Sequence, residues 1–179
     1  NVRRQETLAA YGAIGIDADH IIRLDYSDFS ISPYLGWKLP GGTVGSIATT
    51  IPLLREMQIT RLMIPNGYRE HIDHETVHRI GCFDGPQAGD PILVDWAVPW
   101  KVKTYLEYAV WGDFAPGDAL INGRDCAIRA NRVLLAPAHV EDAVSNALQQ
   151  FASQAQIIDG LLASRQQRAY GSGFIELYV

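Results

Sequence analysis

The chain is poor in cysteine: Cys82 and Cys126 are its two in 179 residues. So low a count excludes a disulfide-stapled scaffold and reads as reduced thiols of an intracellular, cytoplasmic protein. No apolar run approaches the roughly 20 residues of a membrane-spanning helix, so no membrane span is expected. Basic charge is short as well, with 15 Lys and Arg scattered against 20 Asp and Glu and a net charge of −5. Without a basic stripe to neutralise phosphates, nucleic acid is not an expected partner. An initiator Met and an apolar leader are also missing before Arg3, which leads to the expectation that residues upstream of Asn1 are absent from the chain.

What is there is the composition of a folded globular protein, 47% hydrophobic and 20% charged, long enough to bury its own core as one domain over residues 1–179. Leu8, Tyr11 and Ile14 recur at helical spacing, so residues 3–14 are predicted as a helix capped at Gly15. A short strand is predicted over His20–Leu24. A Pro- and Gly-punctuated loop follows, Asp25–Gly45, long enough to suggest a function of its own. Ile47, Ile51 and Leu54 mark a helix over Thr43–Met57, and Arg61–Pro65 reads as a compact apolar strand.

Helix followed by strand, twice, predicts an α/β fold, a Rossmann-like layered sandwich with a mainly parallel sheet. Further strands are expected over Ile92–Trp96, Lys103–Trp111 and Ala127–Leu135, some antiparallel. A long helix over Ala138–Leu162 and a closing strand over Phe174–Val179 complete a smaller C-terminal β portion.

Chemistry is concentrated just after the apolar strand, in the segment from Asn66 to His78, which holds three of the five histidines, His71, His74 and His78. Ligands of open α/β sheets bind beyond the carboxyl ends of the strands, so the cluster is where a site belongs. Asp73 is the expected N-cap of a short helix that Gly81 ends near Ile80. His71 and His74 would then converge at a strand-to-helix turn, one as metal ligand and one as catalytic group. The segment also spells His74-Glu75-Thr76-Val77-His78, the pattern of zincin metallopeptidases, though a helix of so few turns is a poor platform for it. Gly41 to Ser46 lacks the Lys of a phosphate-binding loop and reads as ordinary capping. Tyr34, Trp37 and Trp100 are more at home packing the loop down than stacking on a sugar. His78 reads as structural, and Cys82 as a weak candidate for a nucleophile.

These residues together resemble the PIG-L/LmbE family of zinc-dependent N-acetylglucosaminyl deacetylases. His71-Ile72-Asp73-His74 is similar to the family's His-Pro-Asp-His motif, with Ile72 in place of the usual Pro. Arg3, Glu6, Ala10 and Ile14-Gly15-Ile16 resemble its Arg-x-x-Glu helix and following turn, and Asp28 its acidic residue after the next strand. Ala147-Leu148, Ser153-Gln154 and the Tyr170–Tyr178 segment resemble its C-terminal helix and closing strand, although the usual Lys appears as Val144. The family's first motif, His-Pro-Asp-Asp-Glu, is not in the chain and would precede Arg3.

The resemblance implies a hydrolase that removes an N-acetyl or other N-acyl group from an amino-sugar or similar small substrate. It implies one zinc ion held by His74 with ligands from the absent motif, and water made acidic by the metal. His71 is implied to stabilise the oxyanion or protonate the leaving amine, and Asp73 to orient an imidazole. Arg3 and Asp28 are implied as substrate contacts, against plainer roles as a surface ion pair with Glu6 and as a turn cap. The readings set against it are a HExxH-type zinc metallopeptidase and a non-catalytic sugar-binding relative, and either form admits a homo-oligomer.

Overall fold

The computed structural model describes residues 2–67, 71–93, 95–110 and 130–179. Its contacts divide the chain into two compact units, Asn1–Asp25 with Asp113–Leu177, and Tyr26–Gly112 with Tyr178–Val179. No helix of the described residues is long and apolar enough to cross a membrane.

The first unit begins with helix α1, Val2–Ala13. It ends as its sequence predicts: Gly15 takes φ +79, and the amides of Gly15 and Ile16 reach back to the carbonyls of Gly12 and Tyr11, the paired bonds of a Schellman cap. The strand expected over His20–Leu24 does not form; a 3-10 turn occupies Ala18–His20. Arg23 there binds the Asp25 carboxylate at 3.1 Å and the Thr7 hydroxyl at 3.0 Å, so side-chain anchoring replaces a ladder.

Strand β3, Arg132–Pro137, runs straight into α4, Ala138–Gln149. The long helix predicted to Leu162 breaks instead at Phe151, whose φ −83 and ψ 59 are not helical, and resumes as α5, Ala155–Arg165. Strands β4, Ala169–Tyr170, and β5, Gly173–Tyr178, close the chain in a three-stranded sheet of order β3-β5-β4, with β4 and β5 antiparallel. Arg165 ties α5 to α4 through both oxygens of Glu141 and to β5 through Glu176. Glu141 is buried, and a buried carboxylate needs this pairing.

The second unit holds α2, Ser46–Glu56, strand β1, Arg61–Pro65, helix α3, Ile72–Gln87, and strand β2, Thr104–Tyr108. β1 and β2 pair in parallel, Arg61 opposite Thr104 through Pro65 opposite Tyr108. Ile51, Leu54 and Ala88 form its core, with Ile47, Ile59, Leu62 and Trp96 packed against them. Arg55 is 2% exposed and donates to the carbonyls of Gln87, Ala88, Asp90, Trp96 and Ala97. It thereby fixes the chain leaving α3 to the end of α2.

Two further expectations are corrected. Helix α3 does not stop at Gly81 but continues through Gly85 and Pro86 to Gln87. The strand expected over Ile92–Trp96 is replaced by a 3-10 turn at Pro91–Leu93, entered by a hydrogen bond from the Ile92 amide to the Asp90 carboxylate at 2.9 Å. The described residues are mixed α/β, as expected, with a parallel pair, β1–β2, and a separate three-stranded sheet in the C-terminal part. Of the other predicted strands, Lys103–Trp111 shortens to β2 and Ala127–Leu135 shifts to β3, while Trp111 and residues 127–129 lie outside the described residues.

Candidate active site at the start of helix α3

The histidine motif opens α3, directly downstream of β1 and Asn66. Asn66 is buried, and its amide donates to the Tyr108 carbonyl at 2.8 Å, extending the β1–β2 pairing by one residue. Tyr68, Arg69 and Glu70 lie outside the described residues.

The N-cap of α3 is His71, not Asp73: its extended backbone, φ −61 and ψ 147, brings the ring over the first turn, where Nδ1 accepts from the Asp73 amide at 3.2 Å. An acceptor Nδ1 on a neutral ring puts the proton on Nε2, so the far side of His71 is a hydrogen-bond donor. The Phe29 ring holds the imidazole at a centroid distance of 4.2 Å, and the His74 ring lies 5.7 Å away.

Asp73, released from capping, turns its carboxylate into the protein and is 7% exposed. Such a group needs donors. It finds them in the amides of Phe29 at 2.7 Å and Ile31 at 3.3 Å, presented by a turn in which Phe29 takes the left-handed φ 59. Ser30 closes that turn on the Ser27 carbonyl at 2.6 Å. Asp73 therefore positions the turn against the motif. Its Oδ2 stands 3.8 Å from His71 Nδ1, too far for a hydrogen bond to that ring.

Asp28 is exposed in the same turn, one residue before Phe29. The structure thus brings His71, Asp73, His74 and the Asp28 turn to one end of α3. Arg3 belongs to the first unit and is exposed on α1. Its neighbour Glu6 is committed elsewhere, accepting from the amide and hydroxyl of Ser153 at 2.6 and 2.7 Å. Those two bonds, the hydroxyl first, hold the Glu6 carboxyl below its usual range, and the Arg3 charge adds to them.

The HExxH residues are divided between two surroundings. Glu75 pairs with Arg79 at 2.6 Å, His74 neighbours His71, and His78 turns Nδ1 to the Pro65 carbonyl at 3.1 Å. Cys82 is a free thiol that burial and the nearby Glu107 push above its ordinary ionisation range, which leaves it protonated and a poor nucleophile. Tyr34 packs on Tyr26, and Trp37 on Trp96, each at 4.8 Å, so these loop aromatics serve packing. In the first unit, a hollow of about 220 Å³ walled by Tyr11, Ile14, Val144 and Phe151 carries no carboxylate or imidazole.

The donor chemistry at the start of α3 suits a metal in part. His74 offers an imidazole beside that of His71, but His71, Asp73 and His74 do not converge on a three-ligand set. Among the described residues one group of three does, His78, Cys82 and Glu107, with ligand atoms within 4.8 Å of one another. Sequence reasoning missed it because His78 and Cys82 share a face only if α3 runs past Gly81.

Comparison with protein-family models finds no match, nor does comparison with curated sequences. Solved structures share the fold, among them the following two. The conserved protein TT1542 from Thermus thermophilus superposes with a TM-score of 0.72 at 18% identity, over 99% of this chain and 72% of that one. GalB, the 4-carboxy-2-hydroxymuconate hydratase from Pseudomonas putida, does so with a TM-score of 0.69 at 14% identity, over 99% and 70%.

Proposed function

We propose that this chain is a metal-dependent hydrolase that removes an N-acyl group, acetyl above all, from an amino-sugar or similar small substrate. The observation that carries the reading is the capping of α3 by His71, whose Nδ1 accepts from the Asp73 amide and leaves Nε2 as the donor of an imidazole beside His74. Amide hydrolysis needs a donor already in place when charge develops on the carbonyl oxygen, and the positive end of a helix supports that charge further. His71 supplies the donor, to the oxyanion first and then to the departing amine, and Asp73 and Phe29 keep its ring from turning. Asp28, on the turn that Asp73 holds, reaches substrate hydroxyls, and the sequence resemblance assigns Arg3 as a further substrate contact.

The same resemblance assigns the metal to His74 with further ligands from a motif that residues 1–179 do not contain. Zinc bound in this way would bring the pKa of its water to roughly 7. The Rossmann-like layering is part of the same reading, supported by the parallel β1–β2 pair, and a cytoplasmic setting by the free thiol of Cys82.

A second reading comes from the fold shared with GalB, named a hydratase: addition of water to a carbon–carbon double bond asks for the same elements, an activated water and a positioned proton donor. The deciding experiment assays the purified full chain for metal content, for amine release from N-acetylglucosamine derivatives, and for hydration of unsaturated carboxylates. About one zinc per chain lost in His74→Ala, together with amine release, supports the deacetylase. Hydration without amine release supports the second reading, and intact activity in both His71→Ala and His74→Ala overturns this site.

A further inference from the structure

We propose that His78, Cys82 and Glu107 form a second metal site, separate from the His71–His74 cluster, that takes a borderline-soft divalent cation such as Zn(II) and ties α3 to β2. His78 and Cys82 stand one helical turn apart on α3, and Cys82 Sγ lies 3.5 Å from His78 Nε2. A tetrahedral zinc with Zn–S about 2.3 Å and Zn–N about 2.0–2.1 Å sets its nitrogen and sulfur roughly 3.6 Å apart. The two atoms already hold the spacing that the ion requires.

The other side of the ring is prepared in the way metal-binding histidines are. His78 Nδ1 faces the Pro65 carbonyl at 3.1 Å; donating there places the Nε2 lone pair toward Cys82, and such a carbonyl partner fixes both tautomer and ring orientation. Gly67 makes room for the ring, since a Cβ at that position would meet His78 Cδ2 at 2.8 Å.

The third ligand comes from the sheet. The backbone of Glu107 is held in β2 opposite Ile64 and exchanges two bonds with Val179, at 2.9 and 3.1 Å. Its Oε2 stands 3.8 Å from His78 Nδ1, and one ligand atom from each of the three residues lies within 4.8 Å of the others. Cys82 is exposed, so water can complete the coordination. One thiolate, one imidazole and one carboxylate suit zinc better than magnesium or calcium, which prefer all-oxygen sets.

The test uses the full chain stripped of metal and titrated with Co(II). A thiolate ligand produces a cobalt charge-transfer band in the near ultraviolet that nitrogen and oxygen ligands do not. The band is expected in the native sequence, in His74→Ala and in Cys126→Ser, and Zn(II) should displace it. Cys82→Ser should lose it while keeping its circular dichroism spectrum, and Glu107→Gln should weaken Co(II) binding on the order of 10-fold or more. No band in the native protein, or one that survives Cys82→Ser, overturns the inference. A band abolished by His74→Ala overturns it too, while leaving the deacetylase reading standing; a band kept in His74→Ala alongside lost amine release shows two independent sites.

Discussion

Glu6 and Ser153, 147 positions apart in the chain, are joined by two hydrogen bonds, from the Ser153 amide at 2.6 Å and its hydroxyl at 2.7 Å. They fasten the first helix to the turn between α4 and α5. Both residues belong to the first unit.

Glu6→Gln places an amide N–H2 where an acceptor is needed and should lower the thermal midpoint at pH 7. Ser153 holds the folded carboxyl below its usual range, so the stabilisation is present above the unfolded pKa of roughly 4.3. It is lost as pH falls through the lower folded value. The gap between native protein and variant should therefore close in acid; a gap that widens there would contradict the assignment. Melting curves across pH 3 to 7 decide it.

Asp73→Ala removes the acceptor of two turn amides, Phe29 and Ile31. The cost should be about 1–3 kcal/mol in denaturant unfolding, with hydrogen exchange at the Phe29 amide accelerated. An unchanged exchange rate would show that the turn does not depend on Asp73.

Gly81→Ala should cost about 1–3 kcal/mol through overpacking, because a Cβ at Gly81 would lie 2.5 Å from Ile64 Cγ2. Gly160→Ala in α5 meets nothing within 4 Å and should stabilise by about 0.5–1 kcal/mol. Chemical denaturation of the pair separates close packing from helix propensity.

Asp84 is 1% exposed, and its Oδ2 has no hydrogen-bond partner among the described residues. Burial raises its pKa to about 6, against the opposing bond with Thr50. A folded pKa above the unfolded one means that stability is full below about pH 4 and falls as pH rises through 6. The rise corresponds to roughly 3 kcal/mol at most, reduced by relaxation around the carboxylate to on the order of 1–2. Asp84→Asn should remove this loss, so that at pH 8 the variant is the more stable; equal midpoints there would refute the buried charge.

The histidine cluster, helices α1 and α2 and strands β1 and β5 were legible in the sequence because each announces itself locally. Helical spacing of Leu8, Tyr11 and Ile14, the apolar run at Arg61–Pro65 and the cap at Gly15 need no knowledge of distant residues. The extent of α3 was not legible. Gly81 and Gly85 read as helix stops, yet they are buried contact points, where a Cβ would meet Ile64 and Tyr105 at 2.5 and 2.6 Å. Asp73 was misassigned for a related reason: helix-capping rules favour Asp, but here the carboxylate serves buried amides from a segment more than forty residues upstream.

The sequence by itself determined where the histidines cluster, since three of them with three carboxylates behind an apolar strand constitute a local pattern. Only the tertiary structure decided which groups work together. Helix α3 packed on β1 carries His78 and Cys82 to Glu107, while Asp73 draws the Phe29 turn to His71. Hydrogen bonds and ligand sets depend on distances of a few ångströms between residues far apart in sequence, and packing alone sets those distances.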